Sequence, residues 1–361
     1  MAGFCYMKLY LEDGTIVGGE SFGANRAVSG EVVFNTGMVG YPEAFTDPSY
    51  AGQILVCTYP LIGNYGVPDK KFFESEKLQI AGLVVSEYSE KYSHHSAKQS
   101  LAAWLKKSGV PAMTGVDTRA LTKRLREHGV LLGELVYSGK SKGFVDPNKE
   151  NLVAHVSPKK KTVYRGGKPR IVAVDCGMKE NIVRSLVARG ATVIRVPWNY
   201  DFSREKYDGL LISNGPGDPT MCAKTIAHIR NAMKKNKPIL GICLGNQLLA
   251  LAAGAKTYKL KYGHRAQNQP CIETDTKRCY ITSQNHGYAV DKESLSSEWE
   301  EWFVNANDGS NEGIRHKTKP WRSVQFHPEA SPGPTDTSWI FDKFLTTIRV
   351  EEVKPAQREY V

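Results

Sequence analysis

Residues 238–253 read PILGICLGNQLLALAA. A short apolar run opening on Pro238 hands over, through Gly241-Ile242-Cys243-Leu244-Gly245, to a run of Leu and Ala. The pattern predicts a buried strand over Pro238–Cys243, a sharp turn at the cysteine and a helix over Asn246–Ala253. A glycine two residues either side of a nucleophile suits such a turn, because the chain passes there too closely for a Cβ. A helix opening directly behind the sulfur favours thiolate through its dipole and offers the Leu244 N–H to a developing oxyanion. Taken alone, the motif has a second reading: a buried structural cysteine between two packing glycines.

Upstream, the same strand–helix rhythm repeats. Ile171–Asp175, Thr192–Pro197 and Tyr207–Ser213 are predicted strands, with helices over Lys179–Arg189 and Thr225–Lys235. Strands alternating with helices across short turns predict an α/β unit, a doubly wound, mostly parallel sheet. Function in such sheets gathers at the C-terminal strand ends.

A thiolate nucleophile needs a base and a group to orient it. Ser323–Phe326 reads as a strand and runs into His327-Pro328-Glu329. Residues i and i+2 of an extended segment share a side, so the imidazole and the carboxylate can cooperate. His327 is then the base and Glu329 its partner. Asn214-Gly215-Pro216-Gly217-Asp218-Pro219 follows another strand end. It lacks the Lys-Ser/Thr of a phosphate loop and reads better as a rigid loop presenting N–H groups to an anionic oxygen.

The chain has 361 residues, enough for two domains. The expected division is 1–156, a linker at 157–169 (SPKKKTVYRGGKP), 170–350, and a frayed tail at 351–361. The first domain reads as a smaller α+β unit: a hairpin turning at Asp13-Gly14 with type I′ chemistry, short β-prone runs, a helix over Ser96–Lys107 and another capped by Asp117. No run of about 18 apolar residues is present, which argues against a membrane span. The N-terminus carries no leader pattern, so a cytoplasmic location is expected. Seven cysteines without a CxxC pair argue against a disulfide framework and a zinc ribbon, and no metal ligand set is read. The first 155 residues balance 16 Lys and Arg against 16 Asp and Glu, so the whole formal charge of +11 falls on the second half. Without a zinc finger, an RNP-type strand or an Arg-rich arm, that surplus reads as solvated surface rather than a nucleic-acid site.

The stretches GICLGNQLLALAAGAKTYK (241–259), NGPGDP (214–219), SQNHGYAVD (283–291) and VQFHPEASPGP (324–334) resemble the triad-type, class I glutamine amidotransferases. LEDGTIVGGESFG (11–23), GEVVFNTGMVGYPEAFTDPSYAGQI (30–54) and YPLIGNYG (59–66) resemble the N-terminal domain of the carbamoyl-phosphate synthetase small, or glutaminase, chain. The likeness runs from about Lys8 to Ile348. It implies Cys243 as nucleophile, His327 as base and Glu329 as its partner. It implies glutamine contacts at Ser49, Gly215, Gly217, Leu244, Gln247, Asn285, Gly287 and Tyr288, with the Gly217 and Leu244 N–H groups as oxyanion hole. It also implies no cofactor in this chain, ATP and Mg being expected on a large synthetase chain, or a fused synthetase domain, that takes the ammonia. The carbamoyl phosphate made there would serve pyrimidine or arginine synthesis, or both.

One residue departs from the pattern. The family usually reads Cys-Leu-Gly-His-Gln, and here Asn246 stands in the fourth place. That leaves a second hypothesis, a catalytically weak docking or regulatory subunit. A thiol peptidase on the same fold is a third, against which the first domain weighs.

Overall fold

The computed structural model describes residues 6–139, 141 and 143–353. The chain divides into two compact units after Leu152.

In the first unit, seven strands close into a barrel in the order Tyr6–Leu11, Ile16–Ser21, Ala112–Thr114, Gly82–Val84, Gln53–Cys57, Val28–Asn35, Leu131–Val136. The inward residues Met7, Leu9 and Leu11 alternate with more exposed neighbours, as the pleat requires. The opening hairpin is present, but its turn is not the two-residue type. The Gly14 N–H donates to Leu11, the Leu11 N–H donates to Thr15, and Gly14 takes φ 87°. This is a three-residue loop closed by a left-handed glycine, an alternative that Asp-Gly serves equally well. The helix expected from Ser96 begins at Leu101, where the Ser100 hydroxyl accepts from the Ala103 N–H. Asp117 caps the helix Thr118–His128 as expected.

The second unit is built on a ten-stranded sheet. Its order is Thr162–Tyr164, Ala191–Pro197, Gly167–Asp175, Gly209–Ile212, Ile239–Ile242, Trp321–Val324, Asn311–His316, Trp299–Asn305, Lys256–Glu273, Cys279–Asp291. The strands from Ala191–Pro197 to Trp321–Val324 pair in parallel. Alternate residues feed opposite faces: Val172 and Val174 pack with the helices Ala223–Met233 and Leu244–Ala252. Ile171 and Ala173 pack with Glu180–Ala188 and Trp339–Val353. The doubly wound core is therefore as expected, with both faces covered.

Two further departures concern the edges. Past Trp321–Val324 the sheet continues antiparallel, so parallel pairing is confined to its middle. The segment read as a linker carries the strand Thr162–Tyr164, which pairs antiparallel with Ala191–Pro197, and the next strand starts at Gly167. An edge strand with largely exposed side chains shows no apolar period, which is why the segment looked unstructured. At the other end the helix runs on to Val353, past the expected start of the tail at 351, while 354–361 lie outside the described residues.

Candidate functional site

Cys243 sits between the strand Ile239–Ile242 and the helix Leu244–Ala252, at φ 53° and ψ −104°. A non-glycine residue held there is strained, and such strain persists only where the surroundings enforce it. The enforcement is visible. A Cβ on Gly241 would stand 2.4 Å from the Gly245 carbonyl oxygen, and one on Gly245 would stand 2.1 Å from that of Ile212. Both glycines are thus sites of close backbone approach, as the motif required. The Cys243 N–H donates to the Val324 carbonyl at 2.8 Å, tying the turn to the adjacent parallel strand. That strand is the one leading into His327, so neighbouring strand ends deliver both side chains to one place.

His327 Nδ1 lies 2.6 Å from Glu329 Oε1, and both side chains are almost fully buried. Lys179 Nζ lies 3.2 Å from the same carboxylate oxygen. Burial opposes charge on the ring, but Glu329 and Cys243 outweigh it and lift the His327 pKa to about 10. Burial likewise opposes the Glu329 carboxylate, but Lys179 and His327 pull its pKa down to about 2. The arrangement therefore favours an imidazolium beside the sulfur, held by a carboxylate that a buried lysine braces.

Lys179 is the residue that the sequence reading missed in this role. It follows the strand Gly167–Asp175 and precedes the helix Glu180–Ala188. Asp175 shapes the loop by accepting the Gly177 and Met178 N–H groups at 2.8 and 2.7 Å. The Lys179 N–H donates to Asn214 Oδ1 at 3.0 Å, and its ammonium also reaches the Ala330 carbonyl. Asn181 donates to the Glu329 carbonyl. The only sequence signal was a lysine one turn past a strand end, which is common on any surface.

Around the sulfur, the Cys243 thiol donates to the Asn285 carbonyl at 3.7 Å. Gln247 Nε2 donates to the Tyr288 carbonyl at 2.9 Å, so the helix behind the turn is bound to the strand carrying Asn285, Gly287 and Tyr288. Leu244 opens that helix, with its N–H in the first turn, where helices leave donors unused. A Cβ on Gly215 would come within 2.8 Å of the Leu244 side chain, and Gly217 takes φ 82°, so the Asn214–Pro219 loop adjoins the turn. Seven of the eight residues expected to contact glutamine are in the second unit. Ser49 is in the first, in a short turn capped by Asp47.

Asn246 is fully buried and hydrogen-bonded at both ends. Its Nδ2 donates to Gln325 Oε1 at 3.1 Å, and its Oδ1 accepts from the Ser323 hydroxyl at 2.7 Å. It stitches the helix to the strand that leads to His327 and leaves the turn intact. Asn246→Ala is expected to lower unfolding free energy by about 1–3 kcal/mol, since it strands buried polar partners. Chemical denaturation checks this, and an unchanged midpoint would remove the stitch from the account.

Five other cysteines are described. Burial pushes the Cys57 and Cys222 thiols up to about 12 and those of Cys176 and Cys271 well above their ordinary value, while Cys279 is exposed. Among the described residues no helix is long and apolar enough to cross a membrane.

Residues 172–347 match the family described as glutamine amidotransferase class-I, and residues 9–135 match the carbamoyl-phosphate synthase small chain, CPSase domain. The arginine-specific small chain of carbamoyl phosphate synthase from Chaetomium globosum is 51% identical over 360 residues, covering 95% of this chain and 78% of that one. The chain belongs to the carbamoyl-phosphate synthase small-chain family. Two larger proteins share the likeness. The multifunctional protein CAD of Squalus acanthias is 56% identical over 355 residues, 94% of this chain and 16% of that one. Carbamoyl-phosphate synthase [ammonia], mitochondrial, of Aquarana catesbeiana is 52% identical over 355 residues, 95% of this chain and 24% of that one. The chain thus spans 16–21% of the length of its multifunctional relatives CAD, pyr-3 of Neurospora crassa and URA2 of Saccharomyces cerevisiae.

Proposed function

We propose that this chain is the glutamine-hydrolysing part of a carbamoyl-phosphate synthase, with Cys243 as nucleophile, His327 as base and acid, and Glu329 as the group orienting His327. The observation that carries it is the strained Cys243 turn facing a buried His327–Glu329 pair at 2.6 Å. The Cys243 sulfur, its proton taken by His327, attacks the side-chain amide carbon of L-glutamine. His327 returns that proton to the leaving nitrogen, and ammonia departs from a γ-glutamyl thioester. Water, deprotonated by His327, then releases glutamate and the free thiol. The Gly217 and Leu244 N–H groups stabilise the tetrahedral oxyanion, each such donor lowering the barrier by about 3–4 kcal/mol. Gly215, Gln247, Asn285, Gly287 and Tyr288 hold the substrate.

Ammonia is mostly protonated, and so no nucleophile, near neutral pH. It is useful only if handed directly to the synthetase chain or domain that joins it to bicarbonate with ATP and Mg, and this chain needs no cofactor of its own. The fully bonded Asn246 favours an active glutaminase over a silent docking subunit. A cytoplasmic setting suits this role. The test is intact mass after incubation with a diazoketone analogue of glutamine. One adduct, mapping to Cys243 and blocked by glutamine, is expected. A folded chain that takes up no analogue would overturn the reading and favour the docking subunit.

A further inference from the structure

Away from Cys243, the antiparallel half of the sheet buries a cluster of lone pairs. His264 and His286 stand directly opposite each other on paired strands, their rings edge to face at 5.0 Å, and Glu312 reaches them from Asn311–His316. One ring nitrogen of each histidine and a Glu312 oxygen all lie within 4.8 Å of one another, and the three residues are buried. The other nitrogen of each ring is already engaged. His264 Nε2 lies 2.9 Å from Asp308 Oδ2, and His286 Nδ1 lies 2.8 Å from the Tyr288 carbonyl oxygen. Carboxylate and carbonyl oxygens can only accept, so each of those nitrogens carries the hydrogen, and in the neutral rings the lone pairs sit on His264 Nδ1 and His286 Nε2.

Those two lone pairs face further acceptors. His264 Nδ1 is 3.4 Å from Glu312 Oε1, and His286 Nε2 is 3.9 Å from the same oxygen. Gln284 Oε1 stands 3.2 Å from His286 Nε2. Asn305 Nδ2 donates to Glu312 Oε1 at 3.0 Å, whereas Glu312 Oε2 and His264 Nδ1 have no hydrogen-bond partner among the described residues. Such converging acceptors call for a positive charge between them, a metal cation or a proton on His264 Nδ1. The second-neighbour contacts are those that orient histidine ligands, one ring N–H held by a carboxylate and the other by a backbone carbonyl. Glu312 and Asp308 together supply the two negative charges that a divalent ion balances.

We propose that His264 Nδ1, His286 Nε2 and Glu312 bind a zinc ion, with Gln284 Oε1 placed as fourth ligand. Two imidazoles, a carboxylate and an amide oxygen suit a borderline metal rather than Mg or Ca. Tetrahedral zinc with bonds of 2.0–2.1 Å separates its ligands by about 3.3 Å; the spacings of 3.2 and 3.4 Å stand near that value, while the 3.9 Å spacing and the 4.8 Å span of the cluster must draw in on binding. Its role is structural. The ion pins the strand Cys279–Asp291 whose Asn285 carbonyl faces the Cys243 sulfur. The rival occupant is a single proton on His264 Nδ1, bridging to Glu312.

The experiment uses the full chain, stripped with EDTA, reloaded with Zn²⁺ or Co²⁺ alone and desalted. One zinc per chain by elemental analysis is expected, together with a rise in Tm and, for cobalt, the visible absorption of four-coordinate nitrogen and oxygen ligands without a thiolate charge-transfer band. Glu312→Gln and His264→Gln are expected to abolish uptake, while Cys279→Ser and the exposed pair His94→Ala with His95→Ala retain it. If those core variants fail to fold, the wild-type cobalt spectrum decides alone. Wild-type chain that retains no metal, a thiolate band, or undiminished uptake in folded Glu312→Gln leaves only the proton and overturns the site.

Discussion

On the proposed function, Cys243→Ser in the complete synthase is expected to abolish glutamine-dependent carbamoyl phosphate formation while leaving ammonia-dependent formation intact. The loss is set by chemistry rather than by folding. Serine differs by one atom, fits the buried turn, and leaves Gly241 and Gly245 in their close contacts. A hydroxyl is far less acidic than a thiol, so serine hardly supplies the anionic nucleophile that the reaction needs. Removing a nucleophile from a working triad costs up to about a million-fold in turnover, and a fall of at least ten-thousand-fold in glutamate release is expected here. Glutamate release and ammonia-fed synthesis, measured on one preparation, check both halves. Residual glutaminase within a factor of ten of wild type would place the nucleophile elsewhere.

Lys179→Met is expected to produce the largest loss of stability of any single change at the site. It leaves the fully buried Glu329 carboxylate facing His327 without its second cation. Breaking a buried ion pair from one side costs about 3–5 kcal/mol, because the remaining charge stays buried. The pH dependence follows from the sign of the Glu329 shift. Its folded pKa is depressed to about 2 from 4.5, so its contribution is present above 4.5 and lost as pH falls through the folded value. Without Lys179 that value rises, and the acid limb of the Tm–pH curve moves to higher pH. Glutaminase turnover falls as well, since the carboxylate that holds His327 is less firmly charged. Adding Glu329→Gln to Lys179→Met is expected to recover part of the Tm but none of the activity, which separates bracing from packing. A Lys179→Met chain as stable as wild type, with an unmoved acid limb, would dismiss the brace.

Much of this protein was legible in its residues. The glycines around Cys243 announced a turn too tight for side chains, because backbone proximity excludes a Cβ wherever it occurs in the fold. The short apolar runs Ile171–Asp175 and Tyr207–Ser213, set between helices, announced strands covered on both faces, and His327-Pro328-Glu329 announced a cooperating pair by spacing alone. Each is a local rule, and each survived folding. What failed were readings where the local signal was absent or ambiguous. Thr162–Tyr164 is an edge strand without an apolar period and Asp13-Gly14 serves two turn types, while the strands between Lys256 and His316, broken by bulges, gave no expectation at all.

The sequence by itself determined the doubly wound core, the tight turn at Cys243 and the family, since these rest on residues close together in the chain. Only the tertiary structure decided which distant residues complete them. Lys179 meets Glu329 across 150 residues, and Asn246 meets Ser323 and Gln325 across nearly eighty. His264, His286 and Glu312 converge from three strands whose pairing no spacing encodes. The reason is physical. Turn geometry and alternation are properties of a few adjacent peptide units, whereas the partner of a buried charge or lone pair is set by sheet register, which the chain acquires only when the whole core closes.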